Sequence, residues 1–331
     1  MTPEDDLDRR TFVRRALGTC AGLVATRAAF STPNGRLVSH AGENDALGPR
    51  APTSFRIAII TARSGSDPVS AESMASCRMG AELATDEARR AATLLRQPLD
   101  AVTLRDDFAA ARTLLETESL SAVVCALNAR DTAELGSSAS RVGVVLFNAT
   151  ASEDALRNEE CARTTFHVAA SDAMRADVLR ASSVGDALGD GVAVELWNGH
   201  LERFGAAQLN DRYRARFAKP MDSGAWAGWF SVKVAWEASL RARAVDGAAI
   251  ATYLERDAAV FDGHKGVPLS FRRWDHQLRQ PLFVTARSEA ASGDRARAQP
   301  QPSTVPSTPS PSRLALDSIG TGEEATTCRW R

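Results

Sequence analysis

Phe261–Thr285, FDGHKGVPLSFRRWDHQLRQPLFVT, is the stretch on which the reading of the fold turns. Gly263 and Gly266 stand where a tight turn needs backbone freedom, and Pro268 restricts pairing at the start of the strand that follows. Val267, Leu269 and Phe271 alternate with polar or small neighbours, the period of a half-buried strand. Trp274–Gln277 supplies a polar turn, and Leu282–Val284 returns as the second arm of a hairpin. So short a hairpin is not stable alone in water, so a larger body must lie beneath it.

That body is legible upstream. Phe55–Ile60 is a short apolar strand, followed by a Gly/Ser loop over Thr61–Ser70 and a helix from Ser73 with Met74, Met79, Leu83, Ala84, Ala88 and Leu94 at mostly helical spacing. Strands are predicted at Leu99–Leu104, Ala122–Leu127 and Val142–Phe147, with helices at Phe108–Glu118, Asp131–Ser140 and Asp172–Ala181. Near-continuous apolar strands alternating with helices indicate a Rossmann-like parallel sheet covered on both faces. Ligands of such sheets bind beyond the carboxyl ends of the strands.

Composition narrows the function classes. Among 331 residues, 40 Lys plus Arg nearly cancel 41 Asp plus Glu, so no net charge steers the chain toward nucleic acid. The lysines are Lys219, Lys233 and Lys265 alone; the arginines are scattered rather than gathered on one stripe. No apolar run approaches the roughly 20 residues that span a bilayer. The five cysteines show neither CxxC nor zinc-ligand spacing.

Several segments together resemble the type I periplasmic binding proteins, the solute receptors of branched-chain amino-acid ABC transporters. They are the Phe-Asp-Gly-x-x-Gly-x-x-x-Phe pattern with its Arg-x-Pro-hydrophobic return, Gly80–Glu87 in the first helix, Asp106-Asp107 after the second strand, and Phe166–Asp172. Leu201–Phe217, with Pro220 beyond it, and the Trp-rich helix Ala225–Arg243 are similar to that family's returning segment; Ala248–Glu255 adds a short helix. The resemblance implies a periplasmic-binding-protein-like fold and a small polar solute bound without chemistry or cofactor. It also implies permease subunits as partners. Asp154–Arg157, the Cys161 segment and Ser171–Met174 resemble more narrowly a subgroup associated with pyrroloquinoline-quinone-dependent alcohol oxidation, which makes a periplasmic quinoprotein the alternative partner. Ala126–Ala129 replaces the family's usual Gly-x-x-Ser loop. By position at strand ends, the expected ligand contacts are Ser64, Asn128, Ala129, Asn148, Thr150 and Asp172.

One departure from the family is large. After Ala181 a second lobe is due, yet only Ser182–Glu195 intervenes before the resemblance resumes at Trp197, room for one short strand at Val192–Leu196. The expected organisation is therefore a first lobe over 54–180, a remnant of the second over 181–196, and returning helices and hairpin over 197–287. With one lobe missing, the three tryptophans Trp226, Trp229 and Trp236 form core, an aromatic ligand wall or a partner surface. At the N-terminus, Arg9-Arg10-Thr11-Phe12-Val13 resembles a twin-arginine export signal over residues 1–30, with a Gly/Pro-rich linker over 31–53. From Ser288 to Arg331 periodicity is lost and disorder is expected. If the compartment is oxidising, Cys161–Cys328 is one conceivable bridge, although pairing does not follow from sequence.

Enzymatic signatures are missing: no GxGxxG, GxxxxGK, GxSxG or HExxH occurs, and the five histidines share no ligand spacing. His264 beside Asp262 in the glycine turn reads as either a general base or a turn donor. Ser64-Gly65-Ser66 offers an anion nest or simply a loop.

Overall fold

The computed structural model describes residues 53–61, 71–182, 192–286, 301–303 and 312–330. The expected signal, most of the linker and Ser64–Ser66 lie outside the described residues, as does most of the interval between Ser182 and Val192.

Strands β1 (Phe55–Thr61), β2 (Leu99–Arg105), β3 (Ala122–Cys125), β4 (Val145–Asn148) and β5 (Thr165–His167) form one five-stranded sheet in the order β2-β1-β3-β4-β5. Every pairing in it is parallel. Helices α1 (Ala71–Leu95), α2 (Phe108–Thr117) and α3 (Ala129–Arg141) connect successive strands from β1 to β4, a 3-10 turn at Asp154–Arg157 lies between β4 and β5, and α4 (Asp172–Ala181) follows β5. The two-residue period of β1 divides the core: Phe55, Ile57 and Ile59 join the apolar layer containing α1, while Ala58 and Ile60 join the layer of α2 and α3. Asp107, Asn128 and Ser171 cap α2, α3 and α4 by accepting from backbone amides three residues on, so each of these helices starts where a side-chain oxygen satisfies its orphan donors.

Beyond the sheet come β6 (Val192–Glu195), α5 (Ala206–Phe217), α6 (Ser223–Ala242) and α7 (Gly247–Leu254). Helix α6 lies directly on α1. A Cβ on Gly80 would fall 1.7 Å from the Ala225 carbonyl oxygen, and one on Gly228 would fall 2.0 Å from that of Cys77. The two backbones therefore touch, and only glycine allows it. Trp226, Trp229 and Trp236 are all buried, with Trp236 edge-on to Phe55 at 5.3 Å between ring centroids. The tryptophans thus belong to the core, and the idea of a Trp-helix partner surface is withdrawn. Their polar tips are satisfied as burial requires: Trp226 donates to Gly263 O and Trp229 to Glu87 Oε2.

The closing ribbon differs from the hairpin expected. β8 (Pro268–Phe271) pairs antiparallel with β7 (Phe261–Asp262) and with β9 (Leu278–Arg279), not with the return strand. Pro281, which has no N–H to donate, follows β9, and β10 (Leu282–Ala286) joins a separate sheet between β6 and β11 (Gln301–Ser303). The single strand expected in the Ser182–Glu195 interval is thus β6, and its partner is the return strand. Lys265, in the ribbon's glycine turn, is buried over Trp226 at 3.8 Å and donates to Gln280 Oε1 and Pro281 O. His264 is a turn residue at φ 58°, its Nδ1 3.1 Å from Phe204 O.

Expected disorder after Ser288 is corrected for 312–330. This segment carries the short helix α8 (Arg313–Asp317) and is joined to the body by the disulfide Cys161–Cys328. Few apolar residues hold it. Hairpin arginines do so instead: Arg272 donates to the carbonyls of Leu316, Ile319 and Thr321, and Arg279 to Asp317. Composition alone cannot reveal that kind of ordering, because the partners are far away in sequence.

Candidate functional site

At the carboxyl edge of the sheet, the turns leaving β3, β4 and β5 lie side by side. Asn128 and Ala129 begin α3; Asn148 ends β4, with Thr150 in the loop beyond; Asp172 begins α4. Thr150 Oγ1 donates to Leu127 O at 2.8 Å and the Asp172 amide donates to Ser152 O at 2.9 Å, stitching the three turns into one rim. Ala129 and Thr150 are half-buried and Asp172 is exposed. Ser64, from the fourth expected turn, is outside the described residues.

Asn128 and Asn148 are committed to structure. The Asn128 side chain accepts from the Asp131 amide at 2.7 Å and donates to the Asp131 carboxylate at 3.0 Å. Asn148, with no exposed surface, accepts from the amides of Thr150 and Ala151 and donates to Ala151 O, fixing the loop after β4. It shapes the rim from below instead of facing a solute.

Under the rim lies a buried polar floor. Arg157, in a 3-10 turn over Asp154–Arg157, is 1% exposed and donates to Gln277 Oε1, Glu153 O, Ala151 O and Ala169 O. Gln277 in turn donates to His167 O and Ala169 O, and Gln280 to Val168 O, so the ribbon is sewn to the end of β5. The isolated bridge His167–Gln277 carries the parallel sheet one step further. Burial pushes the Arg157 guanidinium down to about 10, opposed first by Asp275, so it stays charged near neutrality.

His167 completes the floor. Its Nδ1 lies 3.1 Å from the Asn148 amide nitrogen, which can only donate, so Nδ1 is the acceptor and the ring is neutral. Burial, then the charge of Arg157, then that of His276, holds its pKa well below the ordinary value. The unfolded chain takes up a proton here below about pH 6.5 while the folded one does not, so stability is lost as pH falls from about 6.5 toward the folded pKa, at up to ~1.4 kcal/mol per pH unit. In urea titrations at pH 7, 6 and 5, His167→Gln should lower the acid-side slope of stability by that amount relative to the parent. An unchanged slope would contradict the neutral assignment.

Three charged groups that sequence reading passed over flank the rim. Arg175, on α4, donates to Val194 O and is held below its usual pKa chiefly by burial. Glu195, at the end of β6, is half-buried and its pKa is raised, first by burial. Asp222, the cap of α6, accepts from Ser76 Oγ at 2.5 Å. Period and motif could not single these out, because they come together only through the packing of α4, β6 and α6. A second groove, lined by Arg89, Arg96 and Leu99, opens near the opposite end of β2 and has no part in this rim. Among the described residues no cluster of His, Cys, Asp or Glu is placed to hold a metal, and no helix is long and apolar enough to cross a membrane.

No family model matches the sequence, and no curated protein matches it. Solved structures do. A periplasmic binding protein from Burkholderia mallei superposes with a TM-score of 0.61 at 14% identity, over 83% of this chain and 98% of that one. The fold is that of a type I periplasmic binding protein. The branched-chain amino acid transporter substrate-binding protein of Streptococcus pneumoniae, in complex with isoleucine, aligns at TM-score 0.58 and 16% identity, over 70% of this chain and 96% of that one. An ABC-transporter solute-binding protein of Rhodopseudomonas palustris, in complex with 3,4-dihydroxybenzoic acid, gives 0.58 at 9% identity, over 72% and 94%. At such identities the periplasmic-binding-protein likeness is one of fold. In this fold the rim just described is the edge at which parallel sheets present ligands.

Proposed function

We propose that the chain is a solute-binding protein that takes a small polar ligand at this rim without chemical conversion and presents it to the permease subunits of an ABC transporter. The carrying observation is the convergence of Ala129, Thr150 and Asp172 on one edge, beside the Asn128 cap and over a hydrogen-bonded polar floor. We assign 54–180 to the first lobe, 181–196 to a remnant of the second, and 197–287 to the returning helices and ribbon. Among the described residues the remnant contributes β6. A one-sided rim buries less of a solute than a two-lobed cleft, and a loss of about 3 kcal/mol of contact weakens affinity roughly a hundredfold. Calorimetric titration with aliphatic amino acids, hydroxybenzoic acids and short-chain alcohols should find one class that binds weakly, and Thr150→Val and Asp172→Asn should each reduce that binding. If no class binds, or binding survives both variants, the rim is not the site.

The location proposed is periplasmic, reached through the Arg9-Arg10 signal; the disulfide Cys161–Cys328 suits an oxidising compartment. Cell fractionation should find the chain in the periplasm, and Arg9→Lys with Arg10→Lys should leave it in the cytoplasm. A periplasmic double variant would remove the twin-arginine reading.

The accessory reading, in which the chain serves a periplasmic quinoprotein of alcohol oxidation, rests on the resemblance at Asp154–Arg157, Cys161 and Ser171–Met174. Arg157 and Ser171 have structural work in this fold, as floor and cap. Co-purification of a quinoprotein dehydrogenase with the exported chain, in place of solute binding, would favour this reading.

A further inference from the structure

We propose that residues 312–330 form a strap latched by Cys161–Cys328 and released by thiol reduction. The strap begins with α8, at whose carboxyl end Arg272 and Trp274 hold the carbonyls of Leu316, Ile319 and Thr321. It turns at Gly320, whose amide donates to Asp177 on α4 and whose φ of +78° suits glycine. It then runs past Asn158, which accepts from Thr327 N, to the disulfide. Trp330 ends the described strap, stacked 4.1 Å from His276, whose other face stacks on Phe166, also at 4.1 Å. Arg163 lies over the Trp330 ring at 5.7 Å and pairs with Glu255, which also faces His276 Nε2.

Nearly all of these contacts are polar. Leu316, Ile319 and Cys328 are its buried apolar side chains. Ordering each residue costs at least what one net hydrogen bond returns, and apolar burial is too slight to cover the difference. The disulfide offsets that cost by keeping the strap beside its seat at all times. Without the bond the seat remains, but the equilibrium moves toward an undocked strap, as expected for a segment of low local stability. The strap also braces the rim, because Gly320 packs on Ser171 and Met174 in the first turn of α4, next to Asp172.

The chemistry is exchange with a dithiol. One thiolate attacks Cys161 Sγ, the less buried of the pair, the S–S bond breaks, and Cys328 leaves as a thiolate that takes a proton. The second thiol of the reductant then displaces the Cys161 sulfur, which is likewise protonated. Two electrons pass to the protein, and the reductant becomes a disulfide. Cys77 and Cys125 are free, buried and held as thiols by desolvation, Cys77 at about 12, so they do not compete.

The test is hydrogen–deuterium exchange with mass spectrometry on the full chain, oxidised, reduced by dithiothreitol, and as Cys161→Ser without reductant. Exchange in 312–330 should quicken at least about tenfold in the reduced and variant forms while β3 stays protected, and reoxidation should restore the slow rate. A strap equally protected after reduction overturns the proposal. So does loss of protection in β3 together with the strap, which would make the bond a staple of the whole fold. Alkylation of Cys161 and Cys328 in the unreduced protein would also overturn it.

Discussion

Gly80→Ala and Gly228→Ala should each cost about 3–5 kcal/mol, the upper range for changes inside a packed core. The added methyl at position 80 would lie 1.7 Å from the oxygen, 2.6 Å from the carbonyl carbon and 2.9 Å from the Cα of Ala225. At position 228 it would meet the Cys77 oxygen at 2.0 Å and carbon at 2.8 Å. These are backbone atoms inside helices, so no rotamer change relieves the clash, and α6 must move away from α1 as a body. That movement disturbs the Trp229–Glu87 hydrogen bond and the Trp236–Phe55 contact at the same time. Two controls separate crowding from the general loss of glycine. Gly322→Ala has nothing within 4 Å and should be close to neutral. Gly143→Ala has open space but a φ of +70°, so it should cost only about 1 kcal/mol of backbone strain. Urea midpoints for the four variants decide the matter. A Gly80→Ala protein as stable as the Gly322→Ala control would mean that the helices are not in backbone contact.

The residues that made the fold legible are those whose meaning is local. The near-continuous apolar run Phe55–Ile60 marked a buried strand, and the two core layers lie on its two faces. The helix expected at Asp172–Ala181 is α4, over the same residues. Gly80 stood inside a recognisable helix motif, although nothing in the motif said that Ala225 would be its neighbour. What could not be read was non-local. β5 has three residues, too few for a period to register, and it is a strand because β4 and Gln277 flank it. The return strand Leu282–Val284 looked like a hairpin arm, since alternation does not name a partner. Its true partners are β11, the next strand, and β6, which three helices and three strands separate from it in sequence. At the rim, position after a strand end put Asn128, Ala129, Thr150 and Asp172 together, and the structure sets them on one edge. The same rule placed Asn148 there without revealing that its amide would be consumed by its own loop.

Arg157→Ala should cost about 3–5 kcal/mol, because four hydrogen bonds end on one buried guanidinium whose charge is balanced first by Asp275. The carbonyls of Ala151 and Ala169 belong to the loops after β4 and β5, and Gln277 belongs to the ribbon, so one side chain ties three separate segments. Removing it leaves a cavity and takes a donor from Gln277 Oε1 and Glu153 O, whereas Ala151 O and Ala169 O keep Asn148 and Gln277 as donors. Arg157→Lys should rescue little. Its ammonium is a compact point donor on a shorter reach, and the four acceptors are spread around a planar fork. The readout should distinguish loss of the pin from general damage. In hydrogen–deuterium exchange the His167 amide, which donates to His276 O across the ribbon, should exchange faster than the Val124 amide in the sheet interior. If both amides quicken equally, Arg157 supports the whole fold and not this junction; if Arg157→Ala costs less than about 1 kcal/mol, the floor is held by Gln277 and Gln280 alone.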